Sequence, residues 1–390
     1  MSEGNRGDGA GGADNSGGSP AEAGMIHLPL RMKIALLAFP FLAGLATGPG
    51  LPFEFLLAPA TEGNKRNSEG DMIALRDGRL MMAWTEFYTS QGSDWGAAQI
   101  AAKYSRDGGR SWEKKHVLQE NIGAMNVMEP DLLRLKSGKI LFVFSRKNSE
   151  ADCAQMVRVS TDDGKTFSPP RAILIDPAPS YTGSNNDRMI QLKSGRVVLP
   201  LWYTTDYRTD RHIRTRVYYS DDEGMNWRRS ETLVDLPDSK PGAQEPGVVE
   251  LKDGRVMMWI RTDKGKIYRS YSSDRAVTWS APEPMELDSP LSPQSIKRIP
   301  GTGDLLLVWN NSPDRRTPLT TAISSDDGRS WKHVRNLEEA ADRTFAYTSI
   351  EFWRERVLFT YYVGPAPGGR AADHGWSLKL KAVPVRWLYQ

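Results

Sequence analysis

The stretch SRDGGRSW, Ser105 to Trp112, decides the fold of this chain, because near copies of it return four more times. They read STDDGKTF at 160–167, SDDEGMNW at 220–227, SSDRAVTW at 272–279 and SSDDGRSW at 324–331. The aspartates Asp107, Asp162, Asp222, Asp274 and Asp326 lie 55, 60, 52 and 52 residues apart. A period of that size signals repeated supersecondary units. Each copy reads as a tight turn. Ser and Asp side chains bond nearby backbone N–H groups, and glycine supplies a backbone angle that other residues resist. The closing aromatic packs on the neighbouring unit. The fourth copy carries Ala276 where the others have glycine.

A second repeat runs out of phase with the first. MIALRDGRLMMAW (72–84), LLRLKSGKILFVF (132–144), MIQLKSGRVVLPLW (189–202), VVELKDGRVMMWI (248–260) and IKRIPGTGDLLLVW (296–309) each read strand, tight turn, strand. SIEFWRERVLFTYY (349–362) is a sixth with a different turn. Alternating apolar and β-branched residues around DG, SG and TG turns are hairpin signals. Six such units fill the chain from about residue 55 to 390, and no long amphipathic helical pattern interrupts them. The expectation is an all-β fold, a six-bladed β-propeller of four-stranded antiparallel blades. Trp84, Trp202, Trp259 and Trp309 end the second strands and are expected to pack between blades.

Composition narrows the function. The 390 residues carry 51 basic and 48 acidic side chains, a net charge of +3. That balance gives no drive toward nucleic acid or an anionic membrane. One cysteine, Cys153, excludes an intramolecular disulfide, and no Cys/His spacing or HExxH points to a metal. No metal and no organic cofactor are expected. Residues 1–24 are rich in Gly, Ser and Ala and read as a disordered extension. Residues 25–47 read as a signal peptide. Arg31 and Lys33 precede the apolar run Ile34 to Ala46, which is short for a membrane span and ends in small residues. The mature protein is expected to be secreted or periplasmic, with no stable membrane insertion.

In a propeller the first strand of each blade lines the axis, so the residues that begin these strands converge. They are Ser68–Asp71 (SEGD), Met128–Asp131 (MEPD), Asn185–Arg188 (NNDR), Gln244–Gly247 (QEPG), Ser292–Ser295 (SPQS) and Ala346–Ser349 (AYTS). All six are polar. Converging polar groups need hydrogen-bond partners, from a ligand or from one another.

The five Asp turns and their spacing resemble the sialidase (neuraminidase) superfamily of BNR/Asp-box propellers, over about residues 60–390. EPGVVELKDGRVMMWIR is similar to the family stretch with a catalytic Glu at its start and a carboxylate-binding Arg at its end, which implies Glu245 and Arg261. RRTPLTT resembles the stretch that carries a further binding Arg, which implies Arg316, with Arg315 beside it as the competitor. AYTSIEF resembles the nucleophile strand and implies Tyr347. SQGSDWGAAQIAAKYSRDGG resembles the loop of the acid and implies Asp94. The chain departs from the family where an Arg-Ile-Pro motif should open the first strand. Asp71 stands there instead, and Arg66 and Arg188 are the nearest substitutes. The family's glutamate near the chain end, which orients that first Arg, is also missing.

The resemblance implies an exo-α-sialidase-like glycoside hydrolase acting on sialylated or other acidic glycans. It would retain configuration through a tyrosyl intermediate. A sialoside carries a carboxylate on the reacting carbon, so a neutral tyrosine approaches without like-charge repulsion. Tyr347 would need a base, Glu245, because phenols ionise near pH 10. Asp94 would protonate the leaving oxygen, with its pKa raised by burial under a loop. Arg261 and Arg316 would grip the carboxylate with planar donors. Glu69, Asp71, Glu129, Asp131 and Arg188 leave a second use open, a more acidic pocket for a neutral or cationic sugar. A glycan-binding module without turnover is a third.

Overall fold

The computed structural model describes residues 51–89, 92–177, 180–367 and 375–390. The extension read at 1–24 and the leader read at 25–47 lie outside them. Among the described residues the regular elements are strands, apart from the short 3-10 helix Val385–Tyr389. No helix among them is long and apolar enough to cross a membrane.

The architecture is an all-β propeller, but the expectation of six four-stranded blades is corrected by how the strands pair. Four sheets have four strands each, and a fifth has nine. The first four-stranded sheet runs from Arg66–Ala74 outward through Leu80–Phe87 and Ala98–Ser105 to His116–Gln119. Two others begin at Gln244–Glu250 and Ser295–Arg298 and follow the same order. The last begins at Arg343–Trp353 and passes through Arg356–Pro365 and Ser377–Pro384. It takes its outer strand, Phe53–Ala58, from the other end of the chain.

The nine-stranded sheet stands where two separate blades were expected. Its cause is a broken strand. The third repeat begins with two short pieces, Tyr181–Gly183 and Ile190–Gln191, which both pair with Val197–Thr204. Tyr181 also pairs in parallel with Cys153, in the third strand of the preceding repeat. Cys153 N–H donates to the Ser180 carbonyl at 3.1 Å, and Thr182 Oγ1 donates to the Cys153 carbonyl at 3.0 Å. Cys153 is buried in this seam, which pushes its thiol up to about 12.

The Asp turns form as local clamps. In the first, Ser105 Oγ accepts the Gly109 N–H at 2.9 Å, and Asp107 accepts both the N–H of Ser111 at 2.9 Å and its hydroxyl at 2.6 Å. Trp112 Nε1–H donates to the Gly109 carbonyl at 3.0 Å. The same Ser-to-backbone bond closes the turns at Gly164, Gly224, Ala276 and Gly328. Gly109 has φ +88°, and a Cβ there would sit 2.7 Å from Leu358 Cδ2 of the last blade. Gly109→Ala should therefore cost about 2 kcal/mol, from the left-handed backbone and from crowding. A drop in the urea midpoint with an unchanged slope would measure it.

Side chains also stitch neighbouring inner strands across the axis. Asp71 Oδ2 accepts the Leu132 N–H at 2.6 Å, and Asp131 Oδ2 accepts the N–H groups of Arg188 and Met189 at 3.2 and 2.8 Å. Asp187 Oδ2 accepts the Ile350 N–H at 2.7 Å. Apolar clusters fill the space between sheets, as where Met81 and Ala83 meet Phe142 and Phe144. Trp84, Trp259 and Trp309 are buried there as expected. Trp202 is not: it stands against Tyr181 at the edge of a cavity.

Candidate active site

Four inner strands share one irregularity. Their pairing slips between Ser68 and Asp71, Met128 and Asp131, Gln244 and Gly247, and Ala346 and Ser349. Each bulge holds a non-glycine residue in the left-handed region: Glu69 at φ 45°, Glu129 at 61°, Glu245 at 42° and Tyr347 at 58°. Such angles cost energy for residues with a Cβ, and bulges re-aim side chains. Here all four turn the same way and line one cavity of about 350 Å³.

Tyr347 and Glu245 meet directly. The phenol Oη–H donates to Glu245 Oε1 at 3.1 Å, and Arg261 Nη1 lies 2.5 Å from Glu245 Oε2. Arg261 ends the strand opposite Gln244, so one hairpin places both members of the pair. Arg316 stands over the Tyr347 ring at 5.9 Å and donates to Tyr362 Oη at 2.6 Å. Its neighbour Arg315 faces outward with Asp314, which settles the choice between them.

On the other side Arg66 is held by three groups. Its Nε donates to Ser68 Oγ at 2.6 Å, Nη2 pairs with Glu69, and Nη1 lies 2.5 Å from Asp94 Oδ1. The Asp94 carboxyl is 58% exposed at the mouth. Its backbone is pinned, since the Asp94 carbonyl accepts from Asn126 Nδ2 and Lys147 Nζ, both at 3.0 Å. An aromatic wall completes the lining. Tyr181 stacks on Tyr207 at 5.1 Å, Trp95 tilts toward Tyr207, and Lys147 Nζ stands 4.7 Å from the Trp95 ring centre.

The charges set the protonation states. Burial would raise the Glu245 carboxyl, but Arg261, Arg316 and the Tyr347 hydroxyl outweigh it and hold it below its usual value. Burial and then Glu245 push the Tyr347 phenol well above 10, against the pull of the two arginines. In Asp94 the effect of burial is overcome by Arg66 and Lys147, so this carboxyl is lowered. The raised pKa expected for it does not hold. Glu129 is the group that is raised, to about 8, first by burial and then by Glu69 despite Lys147. Its Oε2 accepts from Ser145 Oγ at 2.8 Å.

Eight of the residues read as site candidates are brought together: Tyr347, Glu245, Asp94, Arg261, Arg316, Arg66, Glu69 and Glu129. Asp71, Asp131 and Arg188 are not. Asp71 lies two residues past the bulge and faces the axis, bonded to Leu132 and Ser349. Arg188 is buried on the axis, where Nη1 donates to Ser295 Oγ at 3.1 Å. Glu69, not Asp71, occupies the position that Glu245 and Tyr347 occupy in their own strands. Glu69 was a candidate only for the second, more acidic use, and SEGD, MEPD and QEPG all carry Glu second. Lys147, Tyr181, Tyr207 and Tyr362 gave no such signal.

Residues 78–359 match the BNR repeat-like domain family. The chain belongs to the BNR repeat-like family of the sialidase superfamily. This BNR propeller is similar to a sialidase from Bacteroides fragilis, 25% identical over 75% of the chain and 58% of the relative. A sialidase from Paraclostridium sordellii is 28% identical over 54% of the chain and 56% of its own length. The BNR propeller thus spans little more than half the length of these curated relatives. Among solved structures, a Hadza microbial sialidase superposes with a TM-score of 0.70 at 18% identity, over 86% of the chain and 69% of its own. That likeness is one of fold.

Proposed function

We propose that this chain is a retaining exo-α-sialidase that removes terminal sialic acid from sialylated glycans. The observation that carries the reading is the Tyr347–Glu245 hydrogen bond of 3.1 Å, with Arg261 on the same carboxylate and Arg316 over the same ring. A phenol, its base and two guanidinium groups in one pocket suit a sugar with a carboxylate on its reacting carbon. In the first step Tyr347 Oη bonds to the anomeric carbon as the bond to the leaving oxygen breaks. Glu245 takes the phenolic proton and Asp94 gives one to the leaving oxygen. Water then attacks the same carbon, Asp94 takes its proton, and Tyr347 leaves and recovers its own from Glu245. The phenol is raised and the carboxylate lowered, so proton transfer accompanies bond formation rather than preceding it.

The test is hydrolysis of 4-methylumbelliferyl α-sialoside, followed by fluorescence and by proton NMR of the first-formed sugar. Release with the α anomer appearing first is expected. Release of the β anomer first removes the tyrosyl route, and binding without release leaves a glycan-recognition module. One observation favours a different sugar. Three carboxylates, Glu69, Asp94 and Glu245, stand against four cations, Arg66, Lys147, Arg261 and Arg316, while Glu129, raised to about 8, adds a protonated carboxyl, so the pocket is not strongly positive. Release from neutral aminosugar glycosides in place of sialosides would support it. The reading of 25–47 as a leader adds export to the proposal.

A further inference from the structure

We propose that Arg66 is a transferable clamp: it holds the Asp94 side chain until a substrate carboxylate takes over Nη1, so Asp94 becomes a proton donor only with a carboxylated sugar bound. This rests on the reading of Asp94 as the acid of the sialidase reaction. It answers a conflict in the site, where the intended donor is paired with an arginine.

The geometry separates what stays from what moves. Glu69 is buried, and both its oxygens are engaged, one by Arg66 and one by Ser68 Oγ at 2.6 Å. Arg66 is itself mostly enclosed, with 12% of its side chain exposed. Glu69 and Ser68 thus form a fixed seat for Nε and Nη2 of the guanidinium. The third contact differs, because the Asp94 carboxyl is exposed and reaches Nη1 from the mouth. Its carbonyl stays pinned by Asn126 and Lys147. Losing Arg66 would therefore swing the carboxyl without moving the loop.

A carboxylate is the natural competitor for Nη1, since guanidinium groups bind planar anions edge-on. A hydroxyl cannot displace one carboxylate from an arginine, because it brings no charge. The groups facing Asp94 are Arg66 and Glu69 of the first inner strand, Lys147 and Glu129 of the next repeat, Tyr181 at the seam, and Arg261. Once the substrate carboxylate neutralises Arg66 and Arg261, only Lys147 still favours the ionised form. Asp94 then takes a proton from solvent and can pass it to the leaving oxygen. Glu69 is a positioning residue: it keeps Arg66 in the pocket after Asp94 lets go.

Proton uptake on binding reads this step without turnover. Calorimetry with 2-deoxy-2,3-didehydro-N-acetylneuraminic acid at pH 6, in buffers of different ionisation enthalpy, should show a net uptake of up to about one proton per site. Asp94→Asn should bind with that uptake lost. Glu69→Gln should weaken binding about tenfold, with Glu69→Asp restoring part of it. Binding of wild type without uptake, or the same uptake in Asp94→Asn, overturns the clamp. So does failure to bind. Fluorogenic turnover is measured beside it. An active enzyme that binds without uptake loses only the clamp, and an inactive protein that binds with uptake loses only the hydrolase reading.

Discussion

Tyr347→Phe should lower release of 4-methylumbelliferone from its α-sialoside by about a thousandfold or more, with KM little changed. The substitution removes one oxygen and keeps the ring. Packing against Tyr362 at 5.6 Å and the place of Arg316 over the ring both survive it. What goes is the atom that would bond to the anomeric carbon, together with the donor to Glu245 Oε1. Glu245 stays paired with Arg261, so no bare buried charge is created. An unchanged circular dichroism spectrum and melting temperature would show that the loss is chemical. If the variant keeps a tenth or so of the wild-type rate, the tyrosyl route is wrong, whatever the identity of the sugar.

The second large effect is expected two residues beyond Glu245. Gly247 closes the bulge, and a Cβ there would lie 2.0 Å from Trp259 Cζ2 and 2.3 Å from its Cε2. Trp259 cannot give way. Its ring is buried between blades, its Nε1–H donates to the Gln294 carbonyl at 2.9 Å, and Arg188 stands over it at 5.7 Å. Gly247→Ala should cost about 3 kcal/mol and lower the melting temperature by roughly 5 °C. The bulge carries Glu245, so the same substitution should also reduce kcat. Gly63→Ala is the control, because nothing lies within 4 Å of the position where its Cβ would stand.

The sequence made the turns legible because their chemistry is local. Ser105, Asp107, Gly109, Ser111 and Trp112 find their partners within a few residues of themselves, so eight letters contain the whole structure. The hairpins are legible for the same reason. Tyr347, Glu245, Arg261, Arg316 and Asp94 were reachable through the motifs that resemble the sialidase superfamily, Glu69 and Glu129 through their place at the start of inner strands, and Arg66 as the arginine nearest the missing motif. The nine-stranded sheet was not legible. It hangs on one parallel pair, Tyr181 with Cys153, between a short broken strand and a strand from another repeat. No alternation marks a three-residue strand. Asp71 was misplaced by two positions because a bulge shifts which side chain faces the pocket, and pairing register is not written in the strand itself. Lys147 follows the apolar run of the strand Ile140–Ser149, while Tyr181 opens a three-residue strand and Trp95 and Tyr207 lie in turns, where no periodicity marks a side chain.

The last sheet borrows Phe53–Ala58 as its outermost strand, pairing it with residues more than three hundred positions away. Contacts of such separation form late, because the intervening chain must already be in place. Until then the strand Ser377–Pro384 presents an unsatisfied row of amides and carbonyls to its surroundings. A nick or truncation that removed residues 53–58 would leave that edge bare in the finished molecule. The defect would show first as intermolecular sticking, before any change in the pocket on the opposite side of the same sheet's innermost strand.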